Sequence, residues 1–257
     1  MDELPSFDLT GRYALVTGAG RGLGRAIALA LAAAGADVAL GLRRREQDRG
    51  LAGEIAGLGR RALPLQMDVT DLPQSYAAVD EAVGTLGGID ILVNNAGGGI
   101  EARALEVTEA DFDRAIAWNL KSTFFVSQRV AGHMIAGGRG GRIVNLSSQA
   151  ALVALPGEPV YCAAKAAVSH LTRCLAVEWG EHGITVNAVA PTFIETPGTA
   201  AALSDPAFKA DTVARIAALH RIGRPVEVSG AVVFLASPAA SLVTGHTLVV
   251  DGGWSVR

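Results

Sequence analysis

Seven short runs rich in β-branched residues punctuate the chain: Tyr13 to Val16, Val38 to Leu42, Ala62 to Gln66, Ile89 to Val93, Arg142 to Leu146, Ile184 to Val189 and Thr247 to Val250. Longer Ala-rich stretches of helical period separate them. Connections of that length are crossovers rather than hairpins, and right-handed helical crossovers build a parallel sheet covered by helices on both faces. The expected fold is therefore α/β, a doubly wound seven-stranded parallel sheet whose ligands bind at the carboxyl ends of the strands. Half of the 257 residues are hydrophobic, only 5% are aromatic and 31 are Gly, which suits close packing through small side chains in one domain spanning residues 1–257. The patch Gly137-Gly138-Arg139-Gly140-Gly141 reads as a helix stop before a strand. Between Pro191 and Pro225 no strand is expected, only the turn Thr196-Pro197-Gly198 and a helical stretch from Thr199 to Leu219. That excursion makes residues 191–225 a candidate substrate lid.

A net charge of -3, with no block of like charges, leaves nothing to hold a phosphate backbone, so no nucleic-acid partner is expected. The acidic start Met1-Asp2-Glu3-Leu4-Pro5 and the lack of eighteen consecutive apolar residues argue against a signal peptide or membrane span, and a cytoplasmic protein is expected. Cys162 and Cys174 are separated by a helical rise of roughly 18 Å and are read as reduced thiols. His133, His170, His182, His220 and His246 show no ligand spacing, so no metal site is expected.

The first strand runs into Thr17-Gly18-Ala19-Gly20-Arg21-Gly22-Leu23-Gly24, followed by a helix. Glycines there allow a tight turn and let a pyrophosphate approach the helix N-terminus, where free N–H groups and the dipole favour anions. Further on, Tyr161 and Lys165 lie one helical turn apart on one face. A phenol titrates near 10 in isolation, so a nearby cation is needed to favour the phenolate at neutral pH. Ser148 can donate a hydrogen bond to a carbonyl or alkoxide as charge develops.

The spacing T-G-x-x-x-G-x-G resembles the classical short-chain dehydrogenase/reductase family, with its Rossmann-type fold. Five further places agree: Asp68-Val69, Asn94-Asn95-Ala96-Gly97, Asn119, Ser148, and Tyr161-x-x-x-Lys165 thirteen residues beyond Ser148. The resemblance covers Gly11 to Gly253. It implies an oxidoreductase interconverting a secondary alcohol and a carbonyl compound on a small-molecule substrate, with Asn119, Ser148, Tyr161 and Lys165 as the catalytic set. In that scheme Tyr161 exchanges the proton, Lys165 lowers its pKa and holds the nicotinamide ribose, Ser148 positions the substrate oxygen, and Asn119 holds a water. Ser147 is the rival for the serine role, and the thirteen-residue spacing selects Ser148. The cofactor contacts it implies are Gly18, Arg21, Gly22, Leu23, Gly24, Arg43, Asp68, Val69, Asn95, Ala96, Gly97, Tyr161, Lys165, Ile194 and Thr196. Enoyl reductases of the superfamily space Tyr and Lys more widely.

Cofactor choice is read at the end of the second strand, where a carboxylate binds the 2′-OH of NAD and an arginine accommodates the 2′-phosphate of NADP. Leu42 occupies the position that holds Asp in NAD-preferring members, and Arg43-Arg44-Arg45 follows. NADP(H) is therefore the preferred cofactor, with NAD(H) second. Two departures bear on the substrate. Thr192 replaces the family's usual Gly after Pro191, as in several sugar and polyol dehydrogenases. His182 stands where carrier-protein reductases place an Arg, although Arg139 is retained. Together they favour a sugar, polyol or hydroxy acid; the alternatives are a 3-oxoacyl-thioester reductase and, more remotely, a non-catalytic nucleotide sensor. Glu101, Arg103, Gln149 and Glu158 are expected near the cleft mouth. The segment Val250-Asp251-Gly252-Gly253-Trp254 resembles the family's interface segment and implies a homotetramer.

Overall fold

A computed structural model describes residues 4–256. Its seven strands are β1 (Tyr13–Thr17), β2 (Asp37–Leu42), β3 (Ala62–Gln66), β4 (Ile91–Asn94), β5 (Gly141–Leu146), β6 (Ile184–Pro191) and β7 (Thr247–Val250). They form one sheet in the order β3-β2-β1-β4-β5-β6-β7, with every pairing parallel. The strand order reverses between β1 and β4, which opens a crevice at their carboxyl ends.

The helices are α1 (Gly22–Ala33), α2 (Leu51–Gly57), α3 (Leu72–Leu86), α4 (Glu109–Ile116), α5 (Ser122–Gly137), α6 (Pro159–Trp179), α7 (Ala200–Leu203), α8 (Pro206–Arg215) and α9 (Pro225–Ala236). The period of two along each strand sorts the core into two layers. Ala14, Val16, Val38 and Leu40 pack under Ile27 and Leu31 of α1 and Val228 and Val232 of α9. Leu15, Ala39 and Leu92 face the other way, against Val79 of α3, Val130 of α5 and Leu175 of α6. Each fully buried leucine or isoleucine contributes about 1.5–3 kcal/mol.

Several strand ends shift by one residue from expectation, and three larger differences have readable causes. β4 starts at Ile91 rather than Ile89; just before it the Tyr13 N–H goes to the Asp90 carboxylate (2.9 Å) instead of a backbone carbonyl, while the Asp90 N–H still donates to the Tyr13 carbonyl (2.8 Å). β6 runs on to Pro191, which pairs with Val250 as the strand's last residue. In the 191–225 segment the single expected helix is two, α7 and α8. Asp205 accepts the N–H groups of Ala207 and Phe208, and Pro206 opens α8, so the chain breaks and restarts between them. An isolated bridge joins Ile194 to Gly223, where no strand pairing was expected. The glycine patch stops α5 as expected, with Gly138 and Gly140 in the left-handed region at φ +65° and +70°. Cys162 and Cys174 both lie on α6 and are not joined. Among the described residues no helix is long and apolar enough to cross a membrane.

Candidate active site

The β1–α1 turn is closed by its glycines. Gly18 and Gly22 take φ +66° and +56°, and a Cβ on Gly24 would run into the Gly18 carbonyl and the Asn95 amide. Arg21 stands at the N-cap with no side-chain cap bond, and the first turn of α1 carries no acid. Its N–H groups are thus open to an anion, and the cradle fits a pyrophosphate. Leu23 is half-buried beside the core. Thr196 sits over this turn, since a Cβ on Gly22 would lie 3.4 Å from the Thr196 Cβ. Ile194, two residues earlier, is buried.

The turn is stitched to the end of β4. Asn95 donates its amide to the carbonyls of Thr17 (2.8 Å) and Gly18 (3.3 Å), while the Thr17 hydroxyl accepts the N–H groups of Asn95 and Ala96, each at 3.0 Å. Asn95 therefore fixes two loops against each other, and Thr17, which sequence reasoning had not singled out, is its partner. Gly97 is the meeting point: a Cβ there would lie 2.6 Å from Asn119 Oδ1 and 3.4 Å from Lys165 Nζ.

At the end of β2, Leu42 is buried and the Arg43 side chain is 78% exposed, its Nε 3.0 Å from Asp68 Oδ2. Asp68 also accepts from the Thr70 N–H and hydroxyl, and these bonds with Arg43 outweigh partial burial to hold its carboxyl below the usual range. Val69 is buried beside it. No carboxylate stands on Leu42 or Arg43 itself; the acid at this edge comes from Asp68, after β3.

Ser148, Tyr161 and Lys165 come together from the β5 end and the first two turns of α6. Ser147 Oγ is engaged with α6, donating to the Lys165 carbonyl (3.1 Å) and paired with Ser169 Oγ (2.7 Å). Ser148 faces the other way, donating to Gln149 Oε1 (2.7 Å), accepting the Ala150 N–H and hydrogen-bonding with Tyr161. Lys165 Nζ lies 5.7 Å from the Tyr161 ring centre and donates to the Leu146 carbonyl at 2.8 Å. Here the expected electrostatics needs correction. Burial pushes the Tyr161 phenol up to about 12, against the pull of Ser148 and with help from Glu158 and Cys162. Burial likewise lowers Lys165 to about 8. The ammonium donates to a backbone carbonyl, and burial is the largest influence on both groups.

Asn119 lies in a wide π-helical turn, Ala117–Lys121, between α4 and α5. It donates to the carbonyls of Gly98 and Ala115, both at 2.9 Å, and accepts the Gly98 N–H. Both amide hydrogens are engaged, so it braces the 97–98 backbone and retains one Oδ1 lone pair for a water. Behind the site a buried network links Asn94, Ser127, Asn145 and Thr172.

The residues that bear on substrate are dispersed. Arg139 lies against Asp90 (3.5 Å) and His182 beside Glu181, both at the amino ends of the strands, opposite the crevice. They do not line a small-molecule cleft. Thr192 borders a cavity of about 390 Å³ with Ile194, Leu219, Arg221 and Asp251, and its hydroxyl is buried without a partner among the described residues. Phe193 stacks on Trp254 (5.7 Å) and meets Phe208 of α8 edge-on (5.5 Å), tying the 191–225 segment to the C-terminal turn.

A parallel sheet with an anion cradle at its switch point, and a Ser–Tyr–Lys cluster beside it, defines a nicotinamide-dependent oxidoreductase. Residues 18–255 match the family model described as enoyl-(acyl carrier protein) reductase. The chain is 42% identical over 254 residues to 2-dehydro-3-deoxy-D-gluconate 5-dehydrogenase of Escherichia coli (strain K12), covering 99% of both. It is 40% identical to D-threitol dehydrogenase of Mycolicibacterium smegmatis, covering 98% of this chain and 95% of that one. The crystal structure of a gluconate 5-dehydrogenase from Burkholderia cenocepacia J2315, in complex with NADP and tartrate, superposes with TM-score 0.93 at 39% identity over 98% of each chain. The chain belongs to the classical short-chain dehydrogenase/reductase family. It is an NAD(P)(H)-dependent oxidoreductase that interconverts an alcohol and a carbonyl compound.

Proposed function

We propose that this enzyme acts on a sugar, polyol or hydroxy acid with NADP(H) as its preferred cofactor. The observation that carries the reading is the convergence of Ser148, Tyr161 and Lys165 beside Gly97, under a glycine turn whose helix end is open to phosphate. When bound, the nicotinamide supplies or accepts the hydride. The chain's own groups do the rest. In reduction, Tyr161 carries its proton at neutral pH and gives it to the carbonyl oxygen as charge builds there, while Ser148 donates a hydrogen bond to the same oxygen. In oxidation the phenol must first be deprotonated, so that direction gains from alkaline pH. Lys165, whose Nζ approaches Gly97, would hold the ribose, and Asn119 fixes the Gly97–Gly98 wall. Gly18, Arg21, Gly22 and Gly24 would hold the pyrophosphate and Arg43 the 2′-phosphate. Asp68, Val69, Ala96, Ile194 and Thr196 would complete the cofactor pocket.

Residues 191–225 act as a lid hinged near Pro191, with Thr196 already over the glycine turn, and the whole chain works as one domain. The enzyme is cytoplasmic and assembles as a homotetramer through its C-terminal segment, which light scattering at micromolar concentration checks. The decisive assay follows absorbance of the reduced nicotinamide with NADP and NAD in parallel. The substrate panel sets polyols, sugars and aldonates against 3-oxoacyl thioesters. Turnover of thioesters alone would refute the substrate assignment.

A further inference from the structure

Glu158 occupies the N-cap of α6, three residues before Tyr161, yet its side chain makes no cap bond. Among the described residues its carboxylate makes no hydrogen bond or ion pair either, although its backbone N–H donates to the Leu155 carbonyl. Its carboxylate instead lies over Gly99, where a Cβ would sit 3.1–3.2 Å from both oxygens. Gly99 belongs to the loop that follows β4, and that loop is fastened to the 155–158 turn by the Ala102 N–H, which donates to the Gly157 carbonyl at 2.8 Å. Glu101 comes from the same loop, and its Cγ would lie 3.9 Å from a Cβ on Gly157. Two carboxylates thus stand together on the wall beside the reacting hydroxyl. Glu158 is close enough to help raise the Tyr161 phenol, and its own carboxyl is pushed up by burial and by Glu101.

The nearby cations do not offset this pair. Lys165 is engaged with the Leu146 carbonyl, and Arg103, on the same loop as Glu101, is exposed and makes no side-chain ion pair among the described residues. A carboxylate that forgoes both its helix cap and any ion pair remains available as an acceptor for substrate hydroxyls. The same group repels a substrate anion.

We propose that Glu158, reinforced by Glu101, makes this enzyme select uncharged polyols and keto sugars over aldonates and other substrates that carry a carboxylate. The inference rests on the proposed active site and narrows its substrate class.

The matched probes are D-threitol and D-threonate, with xylitol and xylonate as a second pair; within each pair one end changes from CH₂OH to COO⁻. Wild-type kcat/KM favours the polyol by about tenfold or more, as expected for an anion beside a half-buried carboxylate. Glu158→Gln compresses that ratio by about tenfold, mainly through a lower KM for the aldonate, and Glu158→Asp restores it. A wild-type preference for the aldonate overturns the proposal, as does a ratio unmoved by Glu158→Gln. So does a selective loss of aldonate turnover in Arg103→Gln, which would make Arg103 the carboxylate's receptor. If neither pair is turned over, the proposed substrate class fails, and saturation-transfer NMR of the same probes on NADPH-loaded enzyme decides the charge preference alone. Threitol binding in excess of threonate, evened by Glu158→Gln, sustains it; equal binding, or none, overturns it.

Discussion

Lys165 should make the cofactor-free protein less stable than it could be, and the size of the effect follows from its surroundings. The side chain is 5% exposed, and burial lowers its pKa from about 10.5 to about 8. At 1.36 kcal/mol per pH unit, holding the ammonium charged in the fold at pH 7 costs about 3 kcal/mol. The bond to the Leu146 carbonyl returns about 1 kcal/mol of a different kind, which a replacement would lose. Lys165→Met should therefore stabilise the cofactor-free protein by about 2 kcal/mol at pH 7, roughly 4–8 °C in Tm for a chain of this size. The sign with pH is fixed by linkage. Between about 8 and 10.5 the folded lysine has released its proton while the unfolded one keeps it, so wild-type stability rises with pH and the variant's advantage shrinks toward zero. The assay is denaturant and thermal unfolding of both proteins at pH 7 and 9.5, at one fixed protein concentration. A destabilised Lys165→Met at pH 7, or an advantage that does not fall with pH, would refute the account. The same variant should lose turnover, because the group that burdens the fold is the one the site needs.

Further expectations are sharper at single groups. Tyr161→Phe should lose about 10²- to 10⁴-fold in kcat while NADPH binding, followed by fluorescence, stays near wild type; weakened cofactor binding of similar size would instead mark Tyr161 as structural. Because the phenol is held near 12, wild-type oxidation should keep rising with pH through 9, and Glu158→Gln should move that profile toward acid; a profile unmoved by Glu158→Gln counts against this. Ser148→Ala should lower kcat about 10²- to 10³-fold. Ser147→Ala should chiefly cost stability, about 1–3 kcal/mol, by unpairing Ser169 and the α6 backbone, and comparing kcat with unfolding midpoints for the two variants separates the roles. Arg43→Ala should weaken NADPH by about 10- to 150-fold and NADH little, since it removes a charge-assisted partner and bares Asp68, while its exposed ion pair contributes at most about 1 kcal/mol to the fold; equal loss for both cofactors would sink the assignment.

The sheet was legible because a strand buried on both faces must be apolar on both, and the helices between strands must be long enough to cross back. Those constraints are local and write themselves into runs such as Val38 to Leu42. What escaped was decided by single side chains acting across the chain. Ile89 reads as strand, but the Tyr13 N–H is taken by the Asp90 carboxylate instead of a backbone carbonyl, and the paired strand begins at Ile91. The break between α7 and α8 carried a readable signal in Asp205-Pro206, a helix start lying inside a stretch taken as one helix.

The candidate site divides along the same line. Residues that must converge are named by spacing: four residues of helix bring Lys165 to the face of Tyr161, and the turn after β5 brings Ser148 toward it. Their protonation is not named by spacing, because it depends on what closes over them. The walls around Tyr161 come from the loop after β4 and the segment after β5, far apart in sequence and joined by the Ala102–Gly157 bond, while Asn95 and Thr17 fasten the same loop to the β1–α1 turn. A lysine four residues from a tyrosine predicts a lowered phenol only where the two charges meet in a shared polar space. Here the lysine is turned to the Leu146 carbonyl and the phenol is desolvated, so the same spacing goes with a raised phenol rather than a lowered one. If burial sets the phenol in this way, the loops that close over the pair set the pH dependence of turnover, and substitutions in the 96–102 loop should shift the pH profile without touching either residue.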